Sequence, residues 1–92
     1  MAEVVERQLL ANPSVSSERM VSGAVLIDAT TGECFELNRI GAEVWEQIVN
    51  GTEITEVITI LTRRYGVAEN RITSDVGRLI DQLMARGLVR LK

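Results

Sequence analysis

A chain of 92 residues that is 46% hydrophobic but holds only three aromatic side chains, Phe35, Trp45 and Tyr65, supports one small domain with a core of Leu, Ile and Val. It has no histidine and a single cysteine, Cys34, which excludes an internal disulfide and removes the common metal-ligand pairings, so no cofactor is expected and a reducing, cytoplasmic setting fits. The formal net charge of −3 argues against a general nucleic-acid binder.

Residues 1–13 set Val4, Val5, Leu9 and Leu10 among Glu3, Glu6 and Arg7 and end at Asn12-Pro13, which reads as an N-terminal arm or a frayed helix turn ahead of a domain over 14–92. The segment lacks the basic stretch and apolar run of a secretory signal, and no run in the chain is long enough to span a membrane. Pro13 biases Asn12 toward extended geometry, and the weak alternation from Ser14 to Met20 predicts an edge strand. After Gly23, the run Ala24-Val25-Leu26-Ile27-Asp28 has the length and β-branching of a buried strand, and Ala29-Thr30-Thr31-Gly32 supplies turn chemistry. Glu33 to Leu37 then closes a hairpin, with Phe35 and Leu37 on one face and Cys34 and Glu36 on the other.

Asn38 is placed to cap a first helix whose stripe is Ile40, Val44, Ile48 and Val49, ending at Asn50-Gly51. Thr52 is the expected cap of a second helix, with Glu53 and Glu56 at its positive end, Ile54, Val57, Ile58, Leu61 and Tyr65 on one face, and Gly66 as its stop. The third helix is predicted from about Glu69 to Arg86, burying Ile72, Val76, Leu79, Ile80 and Leu83, with Gly87 as terminator and Leu88 folding back on the last turn. Trp45 reads as packing of the first helix. Strands followed by helices describe an α+β domain of the winged helix-turn-helix kind, a three-stranded antiparallel sheet followed by three helices. The strand over residues 33–37 is then an open sheet edge, a template on which another chain can dock.

Catalytic chemistry finds little to work with. Without histidine, Cys34 and the serines lack their usual base. The carboxylate pairs Glu43 with Glu46 and Glu53 with Glu56 fall at i, i+3 on helix faces expected to be exposed, where macrodipole and solubility roles explain them. The glycines match no phosphate loop. Residues 28–56 hold seven acids and one base whereas 57–92 hold three acids and seven bases, an asymmetry read first as solvated helix faces and second as a field that steers a charged partner.

The strand Val25-Leu26-Ile27-Asp28, the turn Gly32, the string Phe35-Glu36-Leu37-Asn38, and Gly41, Trp45, Gly51, Tyr65, Asp75 and Arg86-Gly87-Leu88-Val89 stand in an order and spacing that resembles the PqqD-like family from about Ala24 to Val89. Its members are RiPP recognition elements, which hold the leader segment of a ribosomally made precursor peptide for other enzymes. The resemblance implies a non-catalytic protein that takes up the leader as an extra antiparallel strand on its third strand, with apolar leader side chains in a groove against the third helix. Carried onto this chain, the strand is Glu33, Cys34, Phe35, Glu36 and Leu37, and the helix residues are Arg71, Asp75, Val76, Arg78, Leu79, Gln82 and Leu83. Val76, Leu79 and Leu83 are expected as pocket walls and Arg71, Asp75 and Arg78 as polar contacts. Set against this, the three apolar residues also serve the core, and Arg71, Asp75 and Arg78 form an ion-pair ladder by spacing alone. Cys34 departs from the pattern, since a larger and often aromatic residue is common there.

The string from Thr31 to Asn38 looks most like the standalone members of lasso-peptide clusters, which implies a leader protease and a cyclase as partners. The alternative within the family is a PqqD-type chaperone for a radical-SAM enzyme in quinone-cofactor or other peptide maturation. Of another class is a winged-helix DNA-binding protein using Arg63, Arg64, Arg71, Arg78 and Arg86, against which Glu69, Asp75 and Asp81 interrupt the basic set. A scaffold contacting only a maturation enzyme and a homodimer paired through the open edge complete the alternatives.

Overall fold

A computed structural model describes residues 8–92. Its centre is β3 (Gly23–Asp28), the most apolar strand, which pairs antiparallel with β2 (Val15–Met20) and with β4 (Cys34–Asn38) in the order β2-β3-β4. Cross-strand partners Ala24 with Leu37 and Leu26 with Phe35 share the core face, and Leu26 is fully buried. Gly23 is required at the start of β3, because a Cβ there would lie 1.9 Å from the Leu37 carbonyl oxygen. The turn between β3 and β4 is held by its own polar groups: Asp28 Oδ1 accepts from Thr30 N–H at 2.9 Å and Thr31 Oγ1 from Glu33 N–H at 3.2 Å. That role accounts for Asp28 being a buried carboxylate.

Three helices follow, the first packed on β3 and β4 and the other two packed on it and on each other. In α1 (Arg39–Val49), Asn38 is the N-cap, its Oδ1 accepting from Gly41 N–H at 2.8 Å, and Ala42, Val44, Trp45 and Ile48 are buried. Val49 departs from the expected stripe: one helical step of about 100° beyond Ile48 turns it to solvent at 56% exposure. In α2 (Ile54–Tyr65) the N-cap is Glu53, without a side-chain bond, and not Thr52. The Thr52 hydroxyl donates instead to Gln47 Oε1 at 2.7 Å, tying down the corner between the two helices. Gly66 ends α2 in the left-handed conformation. In α3 (Glu69–Ala85), Ile72, Val76, Ile80 and Leu83 are buried while Leu79 is half-buried. Its end is a Schellman motif: Gly87 N–H donates to Met84 O at 3.0 Å and Leu88 N–H to Leu83 O at 2.9 Å, with Leu88 packed in the core.

Two short strands differ from expectation. β1 (Leu9–Ala11) pairs antiparallel with β5 (Val89–Leu91), Leu9 opposite Leu91 and Ala11 opposite Val89. From Leu9 onward the segment is therefore part of the fold and not an arm or a helix turn, with Leu9 itself 1% exposed. The rest of the expected arm, residues 1–7, lies outside the described residues.

Candidate functional site

β4 pairs with β3 on one side and, among the described residues, with no strand on the other. Asp28 N–H donates to the Glu33 carbonyl at 2.9 Å and the Asp28 carbonyl accepts from Gly32 N–H at 2.7 Å, so Asp28 faces Gly32 and Glu33 in a bulged hydrogen-bonded closure at the turn end of the hairpin, with Gly32 at positive φ. Antiparallel ladders alternate hydrogen-bonded pairs with non-bonded ones. Phe35 and Leu37 therefore direct their N–H and C=O groups at β3, and Cys34 and Glu36 direct theirs at the open edge. The side chains alternate as well: Leu37 is buried and Phe35 half-buried on the helix side, and Cys34 and Glu36 are exposed on the outer side.

Between this edge and α3 lies a groove of about 420 Å³. Phe35, Leu37, Ile40 and Leu79 give it apolar walls, Asn38, Asp75, Arg78 and Gln82 its polar rim, and Glu36 borders it from β4. Val44 and Val76 also border it, although at 0% and 1% exposure they belong to the core and offer almost no surface. Arg78 Nη2 stands 3.8 Å from Asp75 Oδ1, so these two rim charges answer each other. At the Phe35 end, the Arg86 guanidinium covers the ring at 5.0 Å from its centroid, a cation–π contact that holds the ring in place.

Of the residues singled out in the sequence, the structure brings Phe35, Glu36, Leu37, Asp75, Val76, Arg78, Leu79 and Gln82 around this groove. Leu83 is absent from the groove lining and is a fully buried core residue, its carbonyl accepting the Leu88 N–H of the Schellman turn. Arg71 lies outside the groove and makes no ion pair among the described residues, so the ladder is reduced to Asp75 with Arg78. Glu33 and Cys34 belong to the turn and the outer face. Sequence reasoning missed Asn38, Ile40, Gly41 and Val44: β4 runs into α1 without a spare residue, so the first turns of α1 must lie beside the strand end. The capping bond of Asn38 was the available signal. Gly41 leaves room there, since an added Cβ would meet Asn38 Oδ1 at 3.3 Å and Leu37 at 3.4 Å.

Away from the groove, Glu43 is not the solvated carboxylate its spacing suggests. It accepts from the Tyr65 hydroxyl at 2.9 Å and pairs with Arg64, binding α1 to the end of α2. Burial, reinforced by the Glu43 carboxylate, raises the Tyr65 pKa above that of an ordinary phenol. Glu46 pairs with Arg19 at 2.9 Å across a smaller cleft of about 130 Å³ between β2 and α1. With Arg64 held by Glu43, Arg78 by Asp75 and Arg86 over Phe35, three of the five arginines considered for DNA are engaged within the protein. Among the described residues no three acidic or thiol side chains gather as a metal site, and no helix is long and apolar enough to cross a membrane.

The family described as Coenzyme PQQ synthesis protein D (PqqD) matches residues 23–89, a span that takes in β3, β4, all three helices and the first residue of β5. The chain belongs to the PqqD family. Two solved structures share its fold. TbiB1 in complex with the TbiA(beta) leader peptide is 21% identical over 88% of this chain and 94% of that one, with a TM-score of 0.81. Lasso peptide synthetase B1 complexed with the leader peptide is 25% identical over 90% of this chain and 98% of that one, also with a TM-score of 0.81. No curated protein matches the chain by sequence. The PqqD fold is thus the α+β sheet-and-helix arrangement expected from the sequence, with the β1–β5 pair added to it.

Proposed function

We propose that this PqqD-family protein binds the leader segment of a ribosomally synthesised precursor peptide and is not itself a catalyst. The leader adds to β4 as an antiparallel strand, with alternate apolar side chains entering the groove against α3, and is presented to a leader protease and a cyclase in lasso-peptide maturation. One observation carries the reading: the outward N–H and C=O groups of Cys34 and Glu36 lie beside an apolar groove bordered by the same strand. Main-chain bonds at such an edge supply affinity and the groove supplies selectivity. The lasso assignment is supported by the two B1 structures, both of which hold leader peptides. The family description favours a second reading within the same binding mode, a chaperone for a radical-SAM enzyme in quinone-cofactor maturation. Either role fits the reducing, cytoplasmic setting expected of a chain with one free, exposed cysteine.

The test is fluorescence anisotropy with labelled synthetic leader peptides from lasso precursors and from quinone-cofactor precursors. Micromolar or tighter binding to one class, abolished in a folded Leu79→Asp variant, is the expected result and names the pathway. Failure of both classes to bind the folded protein would sink the reading.

A further inference from the structure

The groove and the edge differ in what they leave unsatisfied. On the groove side Asp75 and Arg78 stand 3.8 Å apart and Gln82 is neutral. On the outer side Glu36 is exposed and has no ionic partner among the described residues. It stands in a cross-strand row with Val25 and Glu18, since Val25 is the register partner of both. The neighbouring row is Ser16, Ile27 and Cys34, so the outer face of the three strands carries two carboxylates around half-buried Val25 and Ile27, and no cation. Arg19 belongs to the opposite face, where it pairs with Glu46.

We propose that Glu36 selects a leader with a basic side chain between two groove-bound apolar ones; this rests on the strand-addition reading. The pairing geometry dictates the spacing. Because Glu36 offers both its N–H and its C=O outward, one leader residue exchanges both bonds with it, and that residue's side chain stands on the same outer face at about 5 Å between Cβ atoms. The leader residues on either side lie opposite Phe35 and Leu37, and alternation turns their side chains into the groove. The residue opposite Cys34 follows two positions later and returns to the outer face. The leader is therefore read as apolar, basic, apolar across Leu37, Glu36 and Phe35, with Lys or Arg as the central residue.

Cys34, the only thiol, gives the register experimentally. A lasso-precursor leader peptide is synthesised with one cysteine at each position in turn and equilibrated with the protein in a glutathione redox buffer; Cα atoms of a hydrogen-bonded antiparallel pair, about 5.5 Å apart, lie within disulfide range. The position that traps most strongly lies opposite Cys34, and the residue two places before it lies opposite Glu36. Leaders with Lys, Gln or Glu at that place are then titrated against the wild type, Glu36→Gln and Glu36→Lys, each checked for folding by circular dichroism. The wild type is expected to prefer Lys over Glu by about three- to tenfold in Kd, Glu36→Gln to lose the preference and Glu36→Lys to reverse it. Equal affinities for the three leaders, with trapping and binding intact, would overturn the charge selection and leave strand addition standing. No binding and no trapped position would overturn strand addition, and this inference with it.

Discussion

Tyr65 shows how a single side chain can report on packing. It is the only tyrosine, so its absorbance titration is free of overlap from any other phenol. Burial and the hydrogen bond to Glu43 favour its neutral form, which raises the pKa in the folded state above the unfolded value of about 10. The associated stability is fully present below the unfolded pKa and is lost as pH rises through the folded one. Glu43→Gln should move the titration midpoint down toward that of a free phenol, and an unchanged midpoint would remove Glu43 as a cause. In the groove, Leu79 and Val76 look equivalent by sequence spacing but differ in exposure: Leu79 is half-buried whereas Val76 is 1% exposed. Leu79→Asp should therefore abolish leader binding in a folded protein, while Val76→Asp should unfold it by burying an unpaired charge. Urea titrations of the two variants check the difference. The sequence could name both residues, but not which one the core encloses, because helical periodicity assigns a face and not a depth.

At the level of elements, the backbone of β4 separates two substitutions that look alike in sequence. Proline at Glu36 removes an N–H aimed at the open edge, so the protein should fold while leader affinity falls about five- to tenfold. Proline at Phe35 removes an N–H bonded to β3 and leaves a ladder acceptor unpaired, so the sheet itself should lose about 1–3 kcal/mol. Equal effects on folding would overturn the alternation assigned to this edge. The helices and the hairpin were legible because their signals are strong and local: Asn38, Gly66 and Gly87 fall where caps and stops belong, and Val25 to Asp28 is an unbroken apolar run with a turn behind it. Thr52 misled because a hydroxyl next to a helix start can serve a neighbouring side chain as well as its own backbone. β1 and β5 were not legible, being three residues each and meaningful only as a pair.

Across the whole molecule, that pair joins residues near the two ends of the chain, and Lys92 N–H adds a bond to the Gln8 carbonyl at 3.0 Å. Leu9 is the fully buried residue of β1, 1% exposed and part of the same core cluster as Trp45, Leu83 and Val89, with Ala11 packed against that cluster. None of the groove residues comes from β1 or β5, so stability and recognition draw on different parts of one small fold. Truncating Leu9 to alanine removes buried methyl groups and leaves a cavity, a change that costs about 2–5 kcal/mol in well-packed cores. For a domain of this size that is a large share of the total stability. Leu9→Ala should accordingly shift the urea midpoint far down while the fraction that remains folded binds leader with unchanged affinity. Leu79→Asp should do the reverse, keeping the midpoint near wild type and losing the peptide. Measuring both quantities on both variants tests the separation directly: a leader affinity that falls with Leu9→Ala in the absence of urea would mean that β1 supports the groove and not only the core.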